Sequence, residues 1–281
     1  MTNISELKSY ITLTRPINFI ITFFVVIFGA LFCAAEEYSL YIILLAAISA
    51  ALTAASGNVV NDIYDKESDK INHPERPLAK GIISDKEAWA AYFVLTLAAI
   101  FLSAFINQIA FAIVVFTSVL LYLYSIRLKR IPLLGNITIA YLTGLAFIYG
   151  GVAVNNVSDA YLPAVFAFMI NLIRELVKDI QDMEGDKKVG LKTFPIKLGT
   201  KATNILITSL TVTLIIFTFY PFVNQIYKIE FFVTVMIIVN PLLVYFIKLL
   251  YEDNHYKNLN KLSNMLKLNM VLGLLAIILG K

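Results

Sequence analysis

Two acidic phrases carry most of the chemistry available to this chain. Asp62-Ile63-Tyr64-Asp65-Lys66-Glu67-Ser68-Asp69-Lys70 returns as Asp179-Ile180-Gln181-Asp182-Met183-Glu184-Gly185-Asp186-Lys187, so D-I-x-D-x-E-x-D-K repeats at an offset of 117 residues. In each phrase the aspartates stand at i, i+3 and i+7, which on a helix sets three carboxylates on one face. Like charges held that close need a cationic counterweight. Mg²⁺ is the simplest, because it takes hard carboxylate oxygens and completes its octahedron with water and phosphate. Two such faces turned toward each other would hold a diphosphate. The expected metal set is Asp62, Asp65, Asp69, Asp179, Asp182 and Asp186, with the Asn61 amide one turn from Asp65 as a further ligand. The plain alternative is a solvated face on which Lys66 and Lys70 pair with their neighbours, and a second copy in the same helical phase argues against it.

Diphosphate chemistry also needs cations, because the leaving group gains charge as it departs. Tyr124 and the run Arg127-Leu128-Lys129-Arg130 supply a phenol and three positive charges, and Arg174 and Lys178 lead into the second phrase. Arg174 falls within an apolar run, where an ionisable side chain is a functional candidate by default; its neighbour Glu175 complicates that reading. Arg15, Asn18, Asn58 and Arg76 complete the set of candidate substrate-binding groups. For the basic residues, bias of positive charge toward one membrane face accounts for their presence equally well. His73, His255 and Trp89 show no partner pattern and receive no role.

These residues must be positioned by membrane helices. Of 281 residues, 59% are hydrophobic and 15% charged, against about one half and one quarter in soluble domains. Apolar runs near the ~20 residues that cross a bilayer fall at 17–35, 40–60, 88–106, 109–126, 134–154, 161–177, 204–223, 229–250 and 263–280. Nine spans place 21 of the 23 Lys and Arg residues on one side, leaving only Lys228 and Lys281 on the other. The positive-inside rule makes that side cytoplasmic, with the N-terminus. The acidic phrases open the long loops 61–86 and 178–203 on this side of a single polytopic domain covering 1–281. Each follows a span without Gly or Pro, so the membrane helix is expected to continue through it. Pro74 and Pro77 then end the first helix, and Gly190 and Pro195 bound the second. The first span, about 19 residues long, exceeds the core of a signal peptide and reads as a retained helix. The net charge of +4 reflects this topology and not nucleic-acid binding. A single Cys, Cys33, and two His exclude an intrachain disulfide and a Cys/His metal site.

On these residues the chain resembles the UbiA superfamily of intramembrane prenyltransferases. The resemblance lies in Asn61-Asp62-x-x-Asp65-x-x-x-Asp69 and Asp182-x-x-x-Asp186, supported by Arg15-Pro16, Arg76-Pro77-Leu78, Tyr124 with Leu128-Lys129-Arg130, and Gly190-Leu191-Lys192-Thr193. It implies an all-α membrane protein with nine transmembrane helices around a central cavity, closed by a cytoplasmic cap of loop helices. It also implies two Mg²⁺ ions bridging a polyprenyl diphosphate to the acidic helices, the tail lying in a lipid-open tunnel. Asp62, Asp65, Tyr124, Lys129 and Arg174 would then serve ionisation of the allylic C1–O bond. Within the superfamily, the Arg15-Pro16-Ile17-Asn18 opening, the run from Asp69 to Pro77 and the run from Lys178 to Asp186 are most similar to members that alkylate the glycerol hydroxyl of a prenylated glycerol phosphate, making an ether lipid. The acceptor would be a lipid phosphate. The spacing from Tyr124 to Lys129 is one residue longer than expected for members acting on aromatic acids.

A prenyltransferase acting on a quinone precursor is the competing enzyme. A cation transporter is more distant, because its carboxylates would lie near the bilayer midplane, whereas these stand at helix exits among Lys and Arg. Alcohol phosphatidyl transfer would need a D-G-x-x-A-R continuation, and Asp65 is followed by Lys66.

Overall fold

The computed structural model describes residues 4–35, 38–252 and 256–281; His255 and the loop residues Glu36 and Glu37 lie outside them. The described chain is built of helices: α1 (Ile4–Leu13), α2 (Pro16–Cys33), α3 (Leu40–Asn72), α4 (Asp85–Ser103), α5 (Gln108–Ile126), α6 (Leu134–Ala153), α7 (Tyr161–Gln181), α8 (Met183–Lys188), α9 (Phe194–Phe217), α10 (Tyr220–Val223), α11 (Ile229–Thr234), α12 (Asn240–Leu250) and α13 (Tyr256–Gly280). Among the described residues nine segments are long and apolar enough to cross a membrane, in the order the apolar runs predict.

The packing radiates from two helices. α3 lies against α2, α4 and α5, whereas α7 lies against α6, α9 and α13, and α2 and α6 join the two groups. The α2–α6 crossing is close because it is lined by glycine: a Cβ on Gly150 would stand 2.6 Å from the Ala30 nitrogen. Small residues let membrane helices approach where hydrophobic driving force is weak. On the other side, Ile173, Leu176 and Val177 of α7 pack with Leu243 and Phe246 of α12 and with Leu262 and Leu266 of α13.

α3 has 33 residues, about 50 Å of helix, against about 30 Å of hydrocarbon. Its last turns therefore project as an unbroken acidic helix, as the absence of Gly and Pro predicted. The second phrase behaves differently. α7 stops at Gln181, Asp182 takes φ −92° and ψ 1°, and α8 starts a new helix at Met183. The expectation of three carboxylates on one continuous face is corrected here: Asp179 belongs to α7, Asp182 to the corner and Asp186 to α8.

The cap over the acidic ends combines α1, the loop 73–84 and α8. Leu13 of α1 is buried with Val59, Leu78, Ile83 and Ala88, and Tyr10 donates to Glu87 Oε1 at 2.8 Å. α4 begins with a capping box, in which the Ser84 hydroxyl accepts from the Glu87 N–H and the Glu87 carboxylate accepts from the Ser84 N–H. Near the opposite end of the chain, a π-helical turn at Val235–Val239 precedes Pro241. It relieves the clash a proline ring makes with the preceding turn.

Candidate active site

The two acidic phrases meet. Asn72, the last residue of α3, donates from Nδ2 to the Asp182 carbonyl at 3.0 Å and accepts at Oδ1 from the Gly185 N–H at 3.1 Å. Between them lies a cavity, partly open to solvent, lined by Asn61, Asp65, Asp69, Asp179, Asp182 and Asp186 among others.

The first phrase is neutralised by cations drawn from three separate places. Arg15 pairs with Asp62. Arg76 Nη1 lies 2.6 Å from Asp69 and 3.3 Å from Asp62. Lys129 pairs with Asp65 and is itself almost buried. Each cation is delivered by a constrained backbone. Arg15 sits at φ 51°, a left-handed conformation that costs a non-glycine residue of order 1 kcal/mol; it turns α1 into α2 while sending the guanidinium to α3. Arg76 is held in the turn after Pro74 by its N–H bond to the His73 carbonyl at 3.0 Å. Lys129 is the middle residue of a 3₁₀ turn at Leu128–Arg130.

The second phrase has no such compensation. Asn136 Nδ2 on α6 donates to Asp179 Oδ2 at 2.9 Å, and His73 Nε2 is 3.2 Å from Asp182 Oδ1. Asp186 is pushed up to about 8, first by burial and then by the charges of Asp182, Asp179 and Asp65, which Lys129 offsets only in part. The carboxylate surplus therefore lies on the α7–α8 side of the cavity.

Of the residues the sequence singled out, Arg15, Asn61, Asp65, Asp69, Arg76, Tyr124, Lys129, Lys178, Asp179, Asp182 and Asp186 line this one cavity. Asp62 is buried just behind it, holding Arg15 and Arg76. Asn58 donates to the Thr14 carbonyl at 3.2 Å and bonds Asn18 at 3.4 Å, so this pair braces the α1–α2 turn. Arg127 and Arg130 are exposed and outside the lining. Arg130 ends the 3₁₀ turn that Lys129 centres, and Arg127 precedes that turn at φ −137°, ψ −51°. Arg174 also stands off the lining, against Glu175 at 3.2 Å.

Sequence reasoning missed Asn72, His73, Asn136 and Glu175. His73 carried a signal in hindsight, since it caps the acidic helix between Asn72 and Pro74. Asn136 and Glu175 became legible only when α6 and α7 packed together.

The residues fit a divalent ion in kind. All the donors are hard oxygens, and the buried Asn61 Oδ1 has no hydrogen-bond partner. Among the described residues no three carboxylates or imidazoles converge on a point. That accords with Mg²⁺, which is usually held by one or two carboxylates together with water and substrate phosphates rather than by an all-protein cage.

A nine-span helical fold with paired acidic helix ends around a polar cavity defines an intramembrane enzyme that handles a lipid diphosphate. The chain belongs to the UbiA prenyltransferase family, whose pattern matches residues 22–271; it is an integral-membrane prenyltransferase. It is 35% identical over 282 residues to digeranylgeranylglyceryl phosphate synthase of Methanobrevibacter smithii, covering 98% of each chain. A solved structure reported for digeranylgeranylglyceryl phosphate synthase in membranes shares 37% identity and a TM-score of 0.75, with 98% of each chain covered. A UbiA homologue from Archaeoglobus fulgidus bound to GPP and Mg²⁺ has the same fold, at a TM-score of 0.65 and 21% identity over 96% of this chain and 99% of that one.

Proposed function

We propose that this enzyme transfers a geranylgeranyl group from geranylgeranyl diphosphate to the glycerol hydroxyl of geranylgeranylglyceryl phosphate, forming the second ether bond of an archaeal membrane lipid. The observation that carries the reading is the joining of the two acidic phrases across one cavity by Asn72. The specific acceptor is supported by the names of relatives that match almost the whole chain. The protein lies in the cell membrane with its N-terminus and acidic cap in the cytoplasm, a reading supported by the placement of Lys and Arg.

Asp65, Asp69, Asp179, Asp182 and Asp186, with Asn61, are the oxygens that would hold Mg²⁺. When bound, Mg²⁺ would offset charge on the diphosphate. Lys129, Arg15 and Arg76, all on the cavity wall, are the cations at hand for the departing diphosphate. The C1–O bond of the donor breaks with its electron pair leaving on diphosphate, the glycerol oxygen bonds C1, and the hydroxyl proton is released. The cap of α1, loop 73–84 and α8 limits the access of water, which would otherwise capture the allylic carbon.

The test is product identification. Membranes carrying the protein are given labelled geranylgeranyl diphosphate with geranylgeranylglyceryl phosphate or an aromatic acid, with Mg²⁺ or with chelator. The reading expects a Mg²⁺-dependent diether phosphate. An aromatic product with no ether would replace the acceptor assignment, and full activity in chelator would remove the metal.

A further inference from the structure

A second charged cluster adjoins the cavity on its α7 side, and it has cations to spare. Glu175, buried on α7, is contacted by Lys178 Nζ at 3.1 and 3.2 Å and by Arg174 Nη1 at 3.2 Å. Lys267, exposed on α13, lies on the helix that packs along α7, and its ammonium feels the charges of Arg174 and Lys178. Three cations thus gather about Glu175, with Asp179, the next carboxylate along α7, beside Lys178. In the first acidic phrase, by contrast, three aspartates are matched by Arg15, Arg76 and Lys129.

The excess cations occupy costly positions. Arg174 and Lys267 both fall inside spans, where an ionisable side chain costs a few kcal/mol or more without a partner. Arg174 Nε is buried with no hydrogen-bond partner, and the Lys267 ammonium has no ion pair among the described residues. Arg174 lies seven residues before the end of α7, about 10 Å back along the helix and so deeper than the carboxylates that close it. Glu175 and Lys178 line the cavity itself. The cluster is therefore a neighbour of the acidic site, set further toward the apolar region.

We infer that Arg174, Lys178 and Lys267 form an anion subsite for the phosphate monoester of the lipid acceptor, separate from the carboxylate site that takes the donor diphosphate. The assignment rests on the lipid-phosphate reading above. A phosphate monoester carries about −1.5 to −2 at neutral pH and three acceptor oxygens, which suits a cluster with more cations than carboxylates and supplies a partner for Arg174 Nε. Glu175 keeps Arg174 and Lys178 in place between turnovers, so these two cations are preformed. Lys267 brings the last helix into substrate recognition, a role that neither acidic phrase indicates.

The test separates acceptor from donor. Lys267→Gln and Arg174→Gln, assayed in neutral-lipid nanodiscs, should each raise the KM for geranylgeranylglyceryl phosphate about ten- to a hundredfold, the loss of one charge-assisted hydrogen bond. Lys267→Gln should leave the donor KM within about twofold, and Lys267→Arg should restore the acceptor KM. The dephosphorylated acceptor should be poor for the wild type and no poorer for Lys267→Gln. Equal rises in donor and acceptor KM, or an unchanged acceptor KM in both Gln variants, would overturn the subsite while leaving the reaction intact. An effect seen only in anionic nanodiscs would instead assign the cluster to bulk lipid headgroups and overturn it as an acceptor site. A wild type that forms no ether from either acceptor would overturn the functional reading itself, and the subsite with it.

Discussion

Asn72 holds Gly185 and Asp182 with one amide group. Its oxygen accepts the Gly185 N–H and its nitrogen donates to the Asp182 carbonyl, so the end of α3 is fastened to the corner where α7 becomes α8. Gly185 has no side chain because a Cβ would run into this amide. The clasp fixes the distance between two sets of carboxylates that come from distant parts of the sequence, and misplacing reacting groups by about 1 Å can cost a hundredfold in rate. Asn72→Ala and Gly185→Ala are each expected to lower kcat/KM about 10- to 100-fold while the protein still elutes as a folded species in detergent. Turnover within twofold of wild type in both would show that the phrases need no clasp.

Four of the aspartates should divide into two classes. Asp62 and Asp69 are buried and ion-paired with Arg15 and Arg76, so the loss of Asp62 strands Arg15 and the loss of Asp69 removes the nearer partner of Arg76. Breaking such a pair costs several kcal/mol when both partners are fully buried; with Arg15 and Arg76 about one-quarter exposed, about 1–3 kcal/mol is expected. Asp62→Asn and Asp69→Asn should therefore lower the melting temperature as well as turnover. Asp182→Asn and Asp186→Asn, which strand no arginine, should lower turnover by orders of magnitude and weaken Mg²⁺ dependence without lowering the melting temperature. Differential scanning fluorimetry alongside product assays checks the split.

Gly150 offers a test of the scaffold away from the chemistry. Its close approach to Ala30 leaves no room for a methyl group, and overpacking a tight contact costs about 1–3 kcal/mol. Gly150→Ala should lower the melting temperature while leaving the donor KM unchanged at a permissive temperature. A variant as stable as wild type would show that α2 and α6 can separate freely.

How much of this was legible follows from range. The spans and the acidic phrases could be read because each depends on neighbours a few residues away: a run of apolar residues, or a period of carboxylates. Even the projection of α3 could be inferred, since nothing between Val59 and Asn72 breaks a helix. The break at Asp182 could not. The carbonyl there is taken by Asn72, 110 residues earlier in the chain, so the local repeat predicts a symmetry that a tertiary contact removes. The pairing of Arg15, Arg76 and Lys129 with three different aspartates was hidden for the same reason. Arg127 and Arg130 misled because composition alone does not distinguish the turn's outer residues from Lys129.

Asp186 ties the site to pH. Its carboxyl is pushed up to about 8 by burial and the nearby Asp182, Asp179 and Asp65, whereas in the unfolded chain it would titrate near 3.9. The folded protein thus holds this proton longer than the unfolded one. The stability it contributes is complete below about pH 4 and is lost as pH rises through about 8. A divalent ion needs the carboxylate, so binding displaces the proton and strengthens over the same interval. The metal-free protein should melt at progressively lower temperature between about pH 5 and pH 9, and Mg²⁺ with a prenyl diphosphate should protect it most at the alkaline end. Asp186→Asn carries no titrating group there and should lessen both trends. A wild-type melting temperature that rises across this range, or a slope that Asp186→Asn leaves unchanged, would assign the pH dependence to other groups.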